Sequence, residues 1–264
     1  MFSNLATLLR YRGLISSLVA RELKARYRGS VFGFFWSFIN PLLLLLIYSF
    51  VFTTIIPNEE PKTRPYALFM FCGILPWTWF SSSLSDAAGS LIAGGNLIKK
   101  VLFPAEVLPI VSVLANMVHF FLGLVILIIF LVIYRHPPDA WDLFWFPVAV
   151  LVQLVFTCAL GVLLAALAVH FRDIRDILAN VLTLWFFATP IIYPYFQANV
   201  QKFRPLFNAN PFTHLAISYQ EILFFYGPIG HWRWLLALGA ASIPLFLACY
   251  WVFDRLRDSF AEAV

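Results

Sequence analysis

Charge is what this sequence has least of. Only 12% of its 264 residues are Asp, Glu, Lys or Arg, while 62% are hydrophobic. A soluble domain of this length needs far more polar surface, so the composition excludes that class and leaves a polytopic membrane protein. A mean hydropathy of +0.85 agrees. Cysteine is scarce as well. Cys72, Cys158 and Cys249 stand alone inside apolar runs without metal-ligand spacing, which excludes a disulfide framework and assigns them to packing. No metal site is expected. There is no G-x-x-x-x-G-K-S/T, hence no P-loop for a nucleotide, and no H-E-x-x-H or G-x-S-x-G. Carboxylates within the apolar runs are nearly missing, which argues against an ion-coupled transporter with its own proton relay. No cleavable leader is expected, because the first apolar run lacks a short core followed by small residues.

What the chain does have is apolar runs long enough to cross a bilayer, for which about 20 helical residues suffice. The organising stretch is 21–52, where Arg21, Lys24, Arg26 and Arg28 run into an apolar segment interrupted only by Asn40-Pro41. Basic residues at the start of a span favour the cytoplasmic side. Alternation from there gives an all-α protein with six spans, at about 31–56, 66–91, 107–134, 145–169, 174–193 and 234–253, and both termini cytoplasmic. On this reading twelve of the 18 Lys and Arg residues fall inside and six outside, the sign expected. The pI near 9.2 is explained by these cations beside spans, so a nucleic-acid partner is not expected. The chain reads as one transmembrane unit. Residues 1–30 form an interface helix, 31–195 hold spans 1–5, 196–233 lie outside, 234–253 form span 6, and 254–264 are a cytoplasmic tail.

Several local features qualify that frame. Leu14, Ile15, Leu18, Val19 and Leu23 fall on one helical arc and Ser17, Arg21, Lys24 and Arg28 on another, a helix suited to the membrane surface. Its cations form either a solvated face or a site for an anionic lipid headgroup. Glu22 and Arg26 are one turn apart and suit an ion pair. Pro41 predicts a kink in span 1. Asp86 belongs near the cytoplasmic end of span 2 or against protein, and His119 against a neighbouring helix. Residues 93–109 suit a short helix across the span ends, placed to receive a push from a soluble partner. Residues 170–176, HFRDIRD, form a very tight internal turn in which Arg172 and Arg175 alternate with Asp173 and Asp176, so it is nearly neutral and can hydrogen-bond itself. Residues 196–233 are too polar for a plain span and suit a buried re-entrant helix pair at the outer face.

Taken in order, GFFWSFINPLL, GILPWTWFSSSL, NLIKKVLFPAEVLP, HFRDIRDIL and NANPF resemble the permease subunit of ABC-2 type polysaccharide exporters, which move O-antigen, capsule or teichoic acid. The resemblance covers essentially the whole chain. It implies a homodimer in the cytoplasmic membrane, bound to two copies of a nucleotide-binding subunit that carries ATP and Mg, with no cofactor in this chain. Asn96, Leu97, Ile98, Lys99, Lys100, Val101, Phe103 and Pro104 would then form the coupling helix, and 196–226 the external gate helices. For a glycan cargo, aromatic rings offer flat amphipathic walls. Trp36, Tyr48, Trp77, Trp79, Phe80, Trp185, Tyr193 and Tyr195 are the candidates, beside the plainer reading of interfacial anchors. Among the basic residues, Arg26 and Arg28 suit the carrier's phosphate, since a guanidinium fork fits phosphate oxygens. Two other readings stay open: an ABC-2 permease for a smaller lipid or drug, and a membrane-embedded glycosyl- or phosphotransferase.

Overall fold

The computed structural model describes residues 11–55, 60–100, 104–136, 138, 142–171 and 173–260, leaving aside the side chains of Lys100 and Asp258. Among these residues every regular element is a helix. Five are long and apolar enough to cross a membrane. In chain order α1 is Arg12–Arg26, α2 Trp36–Phe50, α3 Tyr66–Ala93, α4 Gly95–Lys100, α5 Val107–Ile133 and α6 Phe146–His170. There follow α7 at Ile174–Phe187, α8 at Ala198–Gln201, α9 at Arg204–Ala209, α10 at Pro211–Leu223 and α11 at Trp232–Leu256. The chain crosses back and forth, so α1, α4 and the α6–α7 turn share one end, the foot. Helices α8 to α10 share the other, the cap.

The spine is α3. Pro65 opens it with extended backbone, and its 28 residues are mostly buried against α5, α6, α7 and α10. Pro76 removes one helical donor within it, and Gln153 of α6 donates to the Pro76 carbonyl at 2.8 Å. Gly73 allows close approach at the cap end. A Cβ there would sit 3.2 Å from Gln220 Nε2 and from Ile191 Cγ2. The three cysteines are free and buried, as packing residues should be. By contrast α2 is peripheral. It enters through a 3-10 turn at Gly33–Phe35, contains Pro41, ends in a π turn at Val51–Ile55, and leaves Leu43, Leu46, Ile47 and Phe50 exposed. An all-round apolar helix with an exposed face suits lipid or another protein, not water.

Two expectations change. The fifth span, expected over 174–193, is a helix of only 14 residues, about 21 Å long against a hydrocarbon core of about 30 Å. It ends at Phe187 because Thr189-Pro190 follows. Thr189 Oγ1 turns back to donate to Trp185 O at 2.8 Å, and Pro190 has no N–H to continue the ladder. The outer helix pair is instead three short helices, of which α10 is almost entirely buried. Its burial in protein agrees with the re-entrant reading.

Candidate functional site

At the foot end, α1 rests its apolar arc on α5: Leu14, Ile15, Leu18 and Val19 pack on Val107 and Val111. That contact aims the end of α1 into the bundle. Arg26 Nη1 donates to Asn116 Oδ1 at 3.0 Å, Nη2 pairs with Asp86, and Nε lies 3.8 Å from Glu22 Oε1. Asn116 Nδ2 donates in turn to Asp86 Oδ2 at 2.7 Å and to Ser112 O at 3.0 Å. One charge-assisted cluster thus fastens α1, α3 and α5. Beside it, Ser37 donates to Tyr27 Oη at 2.6 Å, and that hydroxyl lies 3.4 Å from His119 Nδ1. A cavity of about 210 Å³ opens here, with Arg26, Trp36, Asn40, Asn116 and His119 in its wall. Donors on an otherwise apolar wall suit a polar headgroup that enters from lipid.

Among the headgroup candidates, Arg26 is tied to Asp86 and Asn116, while Arg21, Lys24 and Arg28 are exposed with no side-chain ion pair among the described residues. A second cavity of about 410 Å³ next to α1 has Arg21 in one wall and Arg175 of α7 in another. Sequence reasoning did not bring those two together, since nothing local links positions so far apart.

Helix α4, described over Gly95–Lys100, is joined to α3 through Gly94, whose N–H donates to Ser90 O at 2.9 Å. Asn96 and Lys99 are exposed, whereas Leu97 and Ile98 turn half inward onto a cluster containing Leu91, Tyr250 and Phe253. Pro104 is buried. Val101 and Phe103 lie outside the described residues, as does Arg172 of the internal turn. Asp173 is exposed there, and no ion pair joins the turn's described residues. Its order comes from the backbone: Ile174 N–H donates to Phe171 O at 3.2 Å and Ile177 N–H to Asp173 O at 2.9 Å.

The aromatic candidates divide. Phe80 is fully buried among Trp77, Phe156, Trp185 and Phe212, and Trp77 is buried with it. Neither presents a face to a sugar in this arrangement, because ring-on-ring packing satisfies both. Trp79 is fixed by donating Nε1–H to Val113 O at 3.1 Å and by stacking on Phe120. Trp36, Tyr48, Trp185, Tyr193 and Tyr195 are half-buried. The last three belong to the cap. Trp185 Nε1–H donates to Asn210 Oδ1 at 2.7 Å, Tyr193 Oη to Phe187 O at 2.6 Å, and Tyr195 Oη to Asn208 Oδ1 at 2.8 Å.

Asn210 organises the cap. It N-caps α10 by accepting from Phe212 N–H at 3.0 Å, and its Nδ2 donates to Ala188 O and Thr189 Oγ1, both at 3.0 Å. Beside it, His214 Nε2–H donates to Asn208 O at 3.0 Å, so its Nδ1 is the acceptor for His231 Nε2–H, also at 3.0 Å. Glu221 accepts the His231 backbone N–H at 2.9 Å. Burial pushes both imidazoles below their ordinary range, His231 to about 4 with help from the neighbouring His214 and Arg204. Burial pushes Glu221 up. The histidine pair went unnoticed in the sequence, but the cap did leave a signal: Asn before Pro at the start of an apolar helix. No group of three metal-ligating side chains occurs among the described residues.

The bundle of long apolar helices, the surface helix before it and the short foot between α3 and α5 describe a membrane transport subunit. The ABC-2 type transporter family matches residues 13–224, and the chain belongs to that family. It is 44% identical over 258 residues to an O-antigen export system permease protein of Myxococcus xanthus, covering 97% of each chain. A protein of the same description from Klebsiella pneumoniae is 31% identical, over 94% of each. The polysialic acid transport protein of Escherichia coli is 22% identical, over 76% of this chain and 78% of its own.

Proposed function

We propose that this chain is the transmembrane subunit of an ATP-driven exporter that moves a lipid-linked polysaccharide across the cytoplasmic membrane. A separate nucleotide-binding subunit, in two copies on a homodimer of this chain, supplies the energy. The observation that carries this reading is near-full-length identity to an O-antigen export permease, 44% over 97% of both chains. The foot end then faces the cytoplasm. Asn96 and Lys99 offer a small polar surface for the ATPase. Arg21, Lys24 and Arg28 stand where the phosphate of a lipid carrier arrives, and the half-buried aromatics Trp36, Tyr48, Trp185, Tyr193 and Tyr195 remain available to the apolar faces of sugars. Chemistry on the cargo is not part of this role. The chain binds, orients and yields, while ATP and Mg act on the partner.

Deletion of the gene tests the reading directly. Its loss is expected to strip surface polysaccharide and leave lipid-linked glycan at the inner leaflet, with recovery from a plasmid copy. Unchanged surface glycan overturns it. Within the site, Arg21→Ala combined with Arg28→Ala is expected to lower export while the complex with the ATPase still assembles.

A further inference from the structure

Glu106 is a carboxylate in an apolar setting. It is 2% exposed and stands immediately before α5, just after the foot. Its Oε1 accepts from Tyr250 Oη at a long 3.4 Å, and its buried Oε2 has no hydrogen-bond partner among the described residues. The guanidinium of Arg257, at the end of α11, lies 3.9 Å from that Oε2. Tyr250 belongs to an apolar cluster with Leu91, Ala105, Phe253 and Phe260. An ion pair this long, with one partner 37% exposed, is a poor stabiliser. Its long contacts do suit a joint, because they can re-form in a second arrangement where a tightly satisfied network could not.

What Glu106 joins is the foot to α11. That helix has 25 residues, about 38 Å of rod. At its far end Trp234 stacks on His214 with ring centres 4.6 Å apart and planes 4° apart, and the preceding His231 bonds both His214 and Glu221. One helix therefore touches the foot through Glu106 and the cap through Trp234. We propose that Glu106 is the joint through which displacement of the foot moves α11, and that α11 carries the displacement to the α8–α10 cap. Glu106 is a positioning residue in this scheme, and the scheme rests on the reading of α4 as the ATPase docking site.

The test uses the full complex of this chain with its ATPase in proteoliposomes. Gly230→Cys reports on the cap through a membrane-impermeant maleimide, and the three native cysteines are buried. In the parent, ATP with vanadate is expected to change the labelling rate about fivefold or more, the range typical of coupled sites. Glu106→Gln is expected to abolish that change while ATPase binding and basal hydrolysis persist. Arg257→Gln, at a half-exposed position, is expected to reduce it. A full change in Glu106→Gln overturns the joint, and a parent with no ATP-dependent change overturns α11 as carrier. Proportionate loss of assembly, hydrolysis and cap response in both variants means a structural role only and also overturns it. Asn96→Cys separates the readings: if the bound ATPase does not shield it in the parent, the docking assignment fails, and the route from the foot fails with it.

Discussion

At the foot end, Arg26 meets Asp86 and Asn116 near water, with two of the three groups charged. At the cap, Asn210, Asn208, Trp185 and the histidine pair, half-buried apart from the buried His214, hold one another with neutral hydrogen bonds. The difference is one of charge. A charged cluster that is partly exposed keeps its ions hydrated, so breaking one contact leaves them in water. Neutral groups with fixed tautomers hold the cap, and opening one bond there leaves its partner unsatisfied.

The comparison breaks most visibly at Asn210. Asn210→Ala removes the α10 cap and leaves the Trp185 indole and Thr189 without their partner, and about 2–4 kcal/mol of stability should go with them. Thermal unfolding in detergent measures it. Asp86→Ala and Arg26→Ala, with the double variant, come next. Their coupling energy should be about 1 kcal/mol, since the Asp86 side chain is 40% exposed, and it should shrink as salt rises.

pH acts on the cap with a definite sign. The native pKa of His231, about 4, lies below its unfolded value near 6.5, so the unfolded chain binds the extra proton first. Cap stability is therefore complete above about 6.5 and declines as pH falls toward about 4. His214, lowered in the same direction, adds to this, while Glu221, raised by burial, works against it. Hydrogen exchange of α10 across that window should accelerate on acidification, and His231→Gln should flatten the dependence. The smallest change in stability is expected from Lys99→Glu, within about 0.5 kcal/mol because the side chain is exposed. Coupled transport should nevertheless fall, which export per ATP would record.

Composition and hydropathy by themselves determined that this is a helical membrane protein, where its long helices begin and end to within a few residues, and that the segment after the fifth apolar run is not a plain span. These are local properties: a helix that must satisfy its own backbone in hydrocarbon announces itself in consecutive residues. Only the tertiary structure decided that Arg26 meets Asp86, 60 positions away. It also decided that Trp77 and Phe80 are core, and that Glu106 answers to Tyr250 and Arg257 at the other end of the chain. Such pairings depend on which helix faces which, and packing fixes that through contacts between distant residues that leave no mark in either local stretch.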